Sequence, residues 1–215
     1  MSKALTLSQV AKALAYVAQS AMANAEKLRE LDAATGDGDL GVTMTVGWKA
    51  VLEALPQLEQ QGDIGKILAQ AGMTFNRAAA STFGVLLATA MMRAGRQLQG
   101  KAEATLEDLM RALEAALQGV KERGKADVGD KTMLDAMAPA LAALQEAASK
   151  GQSLPEALAQ AAAAAEEGAA KTAGLKPRFG RAAWLGERAA QVQDPGATAV
   201  ALMLRALADF CAQLD

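Results

Sequence analysis

The segment SLPEALAQAAAAAEEGAAKTA, residues 153–173, begins with the signals of a helix start and continues mainly in alanine. Ser153 and Glu156 have the spacing of a capping box, in which each side chain bonds the backbone N–H of the other residue. Pro155 lies in the first turn, where a helix needs no N–H donor. Because alanine has the highest helix propensity, the segment predicts a helix from Ser153 to about Ala173.

The composition of the whole chain extends this prediction. Of 215 residues, 52 % are hydrophobic but only 3 % are aromatic. Strands favour aromatic and β-branched residues, so an all-β fold is excluded and an α/β fold is disfavoured. No boundary divides the chain, and we expect one domain over residues 1–215. Alanine-rich faces allow close helix packing, which predicts an all-α antiparallel bundle of eight helices.

The helices are placed by the spacing of their apolar residues and by their capping residues. We expect them at about residues 6–29, 42–58, 63–80, 85–98, 105–123, 132–149, 153–173 and 194–213. The longest polar loops are then 30–41 and 174–193.

Charge and missing residue types exclude several classes of function. The formal net charge is −2, so we expect no nucleic-acid surface. The chain has no histidine, which excludes a Ser-His-Asp triad, a histidine metal ligand and a phosphohistidine carrier. Residues 1–6 do not resemble a signal peptide, and we expect no membrane span. The single cysteine cannot form an internal disulfide, which is consistent with a cytoplasmic protein.

Three polar loops interrupt the alanine-rich pattern, and each opens a helix. They read DAATGDGDLG at residues 32–41, GDKTM at 129–133 and QDPGAT at 193–198. In a bundle such loops can gather at one end. Helix N-termini there would offer free N–H groups and partial positive charge, which suit phosphate.

The first loop is rich in aspartate and glycine. Its glycines match G-x-G-x-x-G over residues 36–41, but a dinucleotide fingerprint must follow a strand, and here a helical pattern precedes it. Bare carboxylates would repel pyrophosphate unless Asp32, Asp37 and Asp39 hold divalent cations that in turn hold phosphates. Helix caps and turns are the alternative explanation. The density of aspartates favours the metal site, and an EF-hand does not fit the residues that follow.

The second loop also allows two explanations, whereas the third allows one. Gly124 and Gly129 have Walker A spacing, but Asp130 separates them from the following Lys-Thr pair, so a P-loop is excluded. A capped helix start explains the second loop, and the functional alternative is that Gly124 and Met133 flank a slot for a base. The third loop predicts a helix with Asp194 as N-cap.

Four further side chains near helix starts could face phosphates or solvent. Ser81 and Thr82 offer hydroxyl groups at the start of the fourth helix. Arg178 and Arg181 lie in the loop before the last helix, and arginine pairs well with phosphate and with carboxylates. Arg178 is our candidate catalytic residue, in a transition-state or partner-interface role, and Arg181 is our candidate for the nucleotide.

Four motifs in order carry a family resemblance. They are LD…GDGDLG at residues 31–41, GDKTMLD at 129–135, GRAAWLGER at 180–188 and QDPGAT at 193–198. With these motifs the sequence resembles the nucleotide-binding L subunit of bacterial dihydroxyacetone kinases, DhaL, and the matching domain of single-chain dihydroxyacetone kinases.

The resemblance implies an eight-helix antiparallel barrel with ADP or ATP at one end. It implies that Asp32, Asp37 and Asp39 bind two Mg²⁺ ions, which bridge the phosphates. The residues that it implies around the nucleotide are Leu40, Gly41, Val42, Thr43, Ser81, Thr82, Gly124, Met133, Arg181, Asp194, Pro195 and Gly196.

The resemblance also implies partners. A separate DhaK-like sugar-binding subunit holds the ketone through a histidine, and the lack of histidine in this chain fits that division of labour. In the common bacterial system, a multi-domain DhaM-like phosphotransferase subunit rephosphorylates bound ADP, whereas single-chain relatives use exchangeable ATP. The phosphate donor, the keto-sugar and the choice between monomer and homodimer stay open.

Two departures from the family pattern keep alternative functions open. Many members have histidine where this chain has Leu40, and the run Ser-Thr-Phe-Gly at 81–84 replaces the usual Ser-Gly-Pro. One alternative is a kinase subunit of the same design for another keto-sugar or a fatty acid. The other is a non-catalytic, nucleotide-sensing module that regulates a partner.

Overall fold

The computed structural model describes residues 4–214, and all its long elements are helices. In chain order the elements are β1 (Ala4–Thr6), α1 (Leu7–Ala23), α2 (Ala25–Thr35), α3 (Leu40–Glu59), α4 (Ile64–Ala78), α5 (Thr82–Gln97), β2 (Glu103–Thr105), α6 (Leu106–Gly124), α7 (Leu134–Ser149), α8 (Leu154–Lys171), α9 (Ala182–Leu185), α10 (Glu187–Ala190) and α11 (Pro195–Ala212). Strands β1 and β2 form an antiparallel pair. The sequence does not predict this pair because three residues are too few for an alternating pattern.

Eight of the helices close into a ring. Around the ring the neighbours are α1, α3, α4, α5, α6, α7, α8 and α11, and α11 packs back against α1. Helix α2 lies outside the ring, mainly against α3. The interior is apolar, with the rings of Trp48 and Phe75 edge to face at 5.3 Å, and apolar side chains line a cavity of about 260 Å³ there. The prediction of an all-α fold is confirmed.

The first predicted helix is in fact two helices. The prediction of one helix over 6–29, followed by a loop from residue 30, is wrong, because α1 ends before Asn24 and α2 continues to Thr35. The Asn24 side-chain amide donates to the Ser20 carbonyl at 2.9 Å, and such local side-chain bonds compete with helix continuation. As a result Asp32 lies in the last turn of a helix rather than in a loop.

The capping residues predict the other helix starts well. Thr6, Thr105 and Ser153 form the capping boxes that begin α1, α6 and α8. Asp194 caps α11 by accepting the Ala197 N–H at 2.7 Å. The predicted loop 174–193 contains the short helices α9 and α10, which are too brief for a periodic apolar pattern.

The last helix is apolar enough to cross a membrane by length and composition alone. The stretch Glu187–Ala212 meets this test, although the sequence led us to expect no such stretch, and 44 % of its most apolar window is buried inside the protein. Core helices of soluble proteins pass the same test, and α11 packs against α1, α7 and α8.

Candidate functional site

A cleft of about 870 Å³ opens where the polar loops meet at one end of the ring. It is bounded by the end of α2, the loop 36–39, the start of α5, the end of α6, the loop 125–133, the segment 179–182 and the start of α11. The predicted site residues that line it are Asp32, Asp37, Asp39, Leu40, Ser81, Thr82, Gly124, Met133, Arg181, Asp194, Pro195 and Gly196. The three loops singled out in the sequence therefore do converge.

Three carboxylates form a cluster on one side of this cleft. One oxygen from each of Asp32, Asp37 and Asp39 lies within 4.8 Å of the others. The chain returns on itself because Gly38 has φ +76°, a left-handed conformation that favours glycine. Asp32 also accepts the Leu40 N–H at 3.0 Å, which ties the end of α2 to the start of α3.

The carboxylate cluster is electrostatically crowded. Burial, assisted by the nearby charge of Asp32, raises the pKa of Asp39 above its ordinary value. Arg181 forms an ion pair with Asp37 and supplies one positive charge. Oxygen-only donors at this spacing fit a hard divalent cation such as Mg²⁺, which would relieve the remaining repulsion.

Of the four residues at the start of α3 that the family resemblance implies at the nucleotide, only one lines the cleft. Leu40 borders the cleft, whereas Gly41, Val42 and Thr43 lie outside its lining. A methyl group on Gly41 would overlap α2, where the Arg29 Cβ would be 2.8 Å away, so this glycine serves helix packing. Thr43 is buried, and Val42 is 61 % exposed. Four consecutive helical residues point in different directions, which explains the division.

The start of α5 presents an N-terminus to the cleft. The Ser81 side chain caps this helix by accepting the Gly84 N–H at 3.0 Å, and Thr82 is its first residue. Both residues line the cleft together with Phe83. This terminus offers N–H groups and partial positive charge to an anion.

The candidate catalytic residue Arg178 lies outside the cleft lining. Its guanidinium pairs with the Asp130 carboxylate at 2.9 Å, and its backbone N–H donates to the Asp130 carbonyl at 3.3 Å. The Arg178 side chain is 72 % exposed, and that of Asp130 is 9 % exposed. Arg178 is therefore fixed to the loop 125–133 while it faces solvent, whereas Arg181 borders the cleft itself.

A second pair of aspartates consists of Asp135, which is buried, and Asp194, which lines the cleft. Asp135 accepts the N–H groups of Gly129 and Thr132 and so shapes the loop before α7. Burial raises the pKa of Asp194 to about 7, against the opposing effects of its bond from Ala197 N–H and of the nearby Lys131 ammonium. These two aspartates serve loop structure, and neither belongs to the carboxylate cluster of Asp32, Asp37 and Asp39.

Several residues of the cleft are not predicted from the sequence. These are Thr35, Phe83, Arg123, Lys131 and Phe179. Lys131 belongs to the GDKTM loop, but because that loop does not match a P-loop, its sequence assigns this lysine no role. The other four give no local signal, because only the closing of the ring brings them together.

Comparisons with known proteins show which family the chain is similar to. The DAK2 domain profile matches residues 34–209. The chain is 37 % identical over 183 residues to the ADP-binding subunit DhaL of the PEP-dependent dihydroxyacetone kinase of Escherichia coli K12, covering 85 % of this chain and 87 % of that subunit. It is 35 % identical to an L-erythrulose kinase of Pectobacterium atrosepticum, covering 92 % of this chain and 34 % of that protein.

A solved structure gives the same result for the fold. The dihydroxyacetone kinase of C. freundii, crystallised in complex with AMP-PNP and Mg²⁺, superposes with a TM-score of 0.70 at 30 % identity. The match covers 93 % of this chain and 33 % of that kinase. From the profile, the sequence identity and the eight-helix ring together, we conclude that this chain belongs to the DAK2 domain family, alongside the DhaL subunits of dihydroxyacetone kinases.

Proposed function

We propose that this protein is the ADP- or ATP-binding subunit of a dihydroxyacetone-type kinase. It transfers a phosphoryl group from a magnesium-bound nucleotide to a small keto-sugar held by a separate, DhaK-like subunit. The observation that carries the proposal is the cluster of Asp32, Asp37 and Asp39, which faces a nucleotide-sized cleft lined by helix N-termini. A cytoplasmic location suits such a subunit.

The carboxylate cluster is the proposed holder of two Mg²⁺ ions. Their four positive charges exceed the three negative charges of the aspartates, and the excess favours phosphate oxygens. When bound, magnesium neutralises and orients the phosphates. The start of α5 and the start of α11 supply N–H groups, and Arg181 can exchange its carboxylate partner Asp37 for a phosphate once the cations are in place.

The chain's own contribution to catalysis is positioning. It has no histidine and therefore no side chain of the kind that forms a phosphohistidine or acts as an imidazole base. Phosphoryl transfer needs orientation and charge stabilisation more than covalent chemistry from the protein, which an array of carboxylates, arginines and helix N-termini can supply.

The acceptor is proposed to arrive on a partner. Phe179, which lines the cleft, is 40 % exposed, and Trp184, five residues farther along the chain, is 88 % exposed. Exposed aromatic residues beside a polar cleft are suited to a protein interface. A DhaM-like phosphotransferase subunit that rephosphorylates ADP would approach the same cleft.

Substitutions of Arg181 and Arg178 are expected to affect different steps, nucleotide binding and phosphoryl transfer respectively. Arg181→Ala should weaken Mg·ADP binding roughly 10-fold or more, because a charge-assisted bond to phosphate is lost. Arg178→Ala should leave ADP binding nearly unchanged and lower the transfer rate in an assay reconstituted with a sugar-binding subunit. Calorimetry and that assay measure the two effects, and Arg188→Ala, an exposed arginine on α10, is the matched control.

Two outcomes of the reconstituted assay would contradict the proposal. Phosphorylation of dihydroxyacetone by the isolated chain at an undiminished rate would remove the need for a partner. Nucleotide binding without transfer, whichever sugar-binding subunit is added, would instead favour a nucleotide-sensing module.

A further inference from the structure

Lys131 is a buried lysine in a strained backbone conformation, and the proposed phosphoryl transfer does not use it. The residue is 4 % exposed and has φ +62°, which is uncommon for any residue other than glycine. Its ammonium donates to the carbonyls of Thr172 at 2.6 Å, Val192 at 2.5 Å and Ala190 at 3.5 Å. These three acceptors match the three N–H donors of the ammonium.

Two of the three carbonyls belong to the segment that leads into α11, and the third closes α8. Thr172 is the C-cap of α8, Ala190 ends α10, and Val192 lies between α10 and α11. Carbonyls at helix C-termini carry partial negative charge, which attracts a cation. Burial lowers the pKa of Lys131, and the carboxylates of Asp194 and Asp135 act in the opposite direction.

The same contacts fix the start of α11. The Thr172 hydroxyl accepts the Asp194 N–H at 2.7 Å, while Lys131 binds the carbonyl of that same threonine. Asp194 then caps α11 through the Ala197 N–H. The cleft residues Pro195 and Gly196 are therefore anchored, through Thr172, to Lys131.

Lys131 itself belongs to the loop 129–133, which lies opposite the start of α11. Thr132 and Met133, which follow it, line the cleft. A Cβ placed on Gly196 would be 3.7 Å from the Met133 backbone nitrogen, so the start of α11 passes close to the loop that carries Met133. One buried ammonium thus joins the segment 190–196 to the loop that carries Met133.

We infer that Lys131 is a positioning residue for the nucleotide, which acts by fastening the segment 190–196 to the loop 129–133. This inference rests on the proposed function, because it assumes that Met133 and Gly196 contact the nucleotide. A buried charge and a left-handed backbone are both costly, and an aliphatic residue would fill the same space at lower cost if packing alone were needed. Among residues 4–214 the hydrogen bonds of the Lys131 ammonium go to the three carbonyls and not to the carboxylate cluster, so its loss should leave the loop 36–39 in place.

The test compares Lys131→Met with Lys125→Met in the full-length protein. Lys125 is a matched control, since it lies in the same part of the chain with φ +52° and an exposed side chain. Lys131→Met should weaken Mg·ADP binding by roughly 10-fold or more in calorimetry, because small displacements of binding groups have large effects. Amide hydrogen exchange should rise over residues 190–198 and stay unchanged over residues 36–45.

Two results would overturn the inference. The first is Mg·ADP affinity in Lys131→Met within about twofold of that of Lys125→Met, a difference of only about 0.4 kcal/mol. The second is faster exchange throughout the chain, including residues 36–45, which would indicate general loosening. A wild-type protein that binds no Mg·ADP would instead refute the proposed function, so the two failures are distinguishable.

A second variant keeps the test valid if Lys131→Met does not fold. Thr172→Val leaves Lys131 and the carbonyl of residue 172 in place, but it removes the hydroxyl that accepts the Asp194 N–H. It should weaken Mg·ADP binding with faster exchange confined to residues 190–198. Unchanged affinity in this variant would contradict the link from Lys131 through Thr172 to the start of α11, on which the inference depends.

Discussion

The substitution Asp39→Asn is expected to lower the affinity for Mg·ADP by about 100-fold, or about 2.8 kcal/mol, while the ligand-free protein stays at least as stable as the wild type. Asp39 suits this test because, among residues 4–214, its side chain caps no helix N–H, whereas Asp32 bonds the Leu40 N–H and Asp37 pairs with Arg181. Removing its charge also removes the cost of burying that charge and the repulsion from Asp32, both of which raise the pKa of Asp39. Calorimetry and thermal unfolding measure the two opposite effects.

The matched control for this variant is Asp209→Asn. Asp209 is exposed near the end of α11, whereas the cleft lies at the start of that helix. Asp209→Asn makes the same change of charge as Asp39→Asn, and this control variant should bind Mg·ADP like the wild type. Wild-type affinity in Asp39→Asn, or a loss of stability without a loss of affinity, would show that these aspartates are only turn residues.

Removal of magnesium is expected to lower the melting temperature in the presence of ADP. A ligand bound only by the native state stabilises it by about 2.7 kcal/mol at one hundred times its Kd. For a protein of this size each kcal/mol shifts the midpoint by about 2–4 °C, so the difference should be roughly 5–10 °C. Thermal unfolding with ADP, in excess Mg²⁺ and in excess chelator, measures it.

Two controls make the melting experiment specific. Magnesium without nucleotide should produce a smaller shift, and Asp39→Asn should lose most of the shift seen with both ligands. Superimposable melting curves with and without magnesium, at saturating ADP, would contradict a role for the cation in nucleotide binding.

The fold could be predicted because its determinants are local. The high helix propensity of alanine and the side chains that cap helix starts place most helices within a few residues of their observed ends. The capping residues are Thr6, Thr105, Ser153 and Asp194. The break at Asn24 was missed because it depends on one side chain bonding a backbone carbonyl, which leaves the apolar spacing unchanged.

The candidate site could be predicted only in part. The carboxylate cluster is local in sequence, because its three aspartates lie within eight consecutive residues. The structure brings their carboxylates together. The roles of Gly41 and Lys131 depend on distant partners, namely Ala25 in α2 and the carbonyls of Thr172 and Val192. Contacts across such separations leave no pattern in a single sequence, and the assignment of Arg178 and Arg181 to different steps stays a prediction.

The most direct test is a calorimetric titration of ADP into chelator-stripped wild-type protein, carried out with and without Mg²⁺. We expect one ADP to bind per chain when magnesium is present, and the affinity to fall by at least about 100-fold when it is withheld. Equal affinity under both conditions, or no binding of ADP in excess magnesium, would contradict the assignment of the cleft and its three aspartates as a magnesium-nucleotide site.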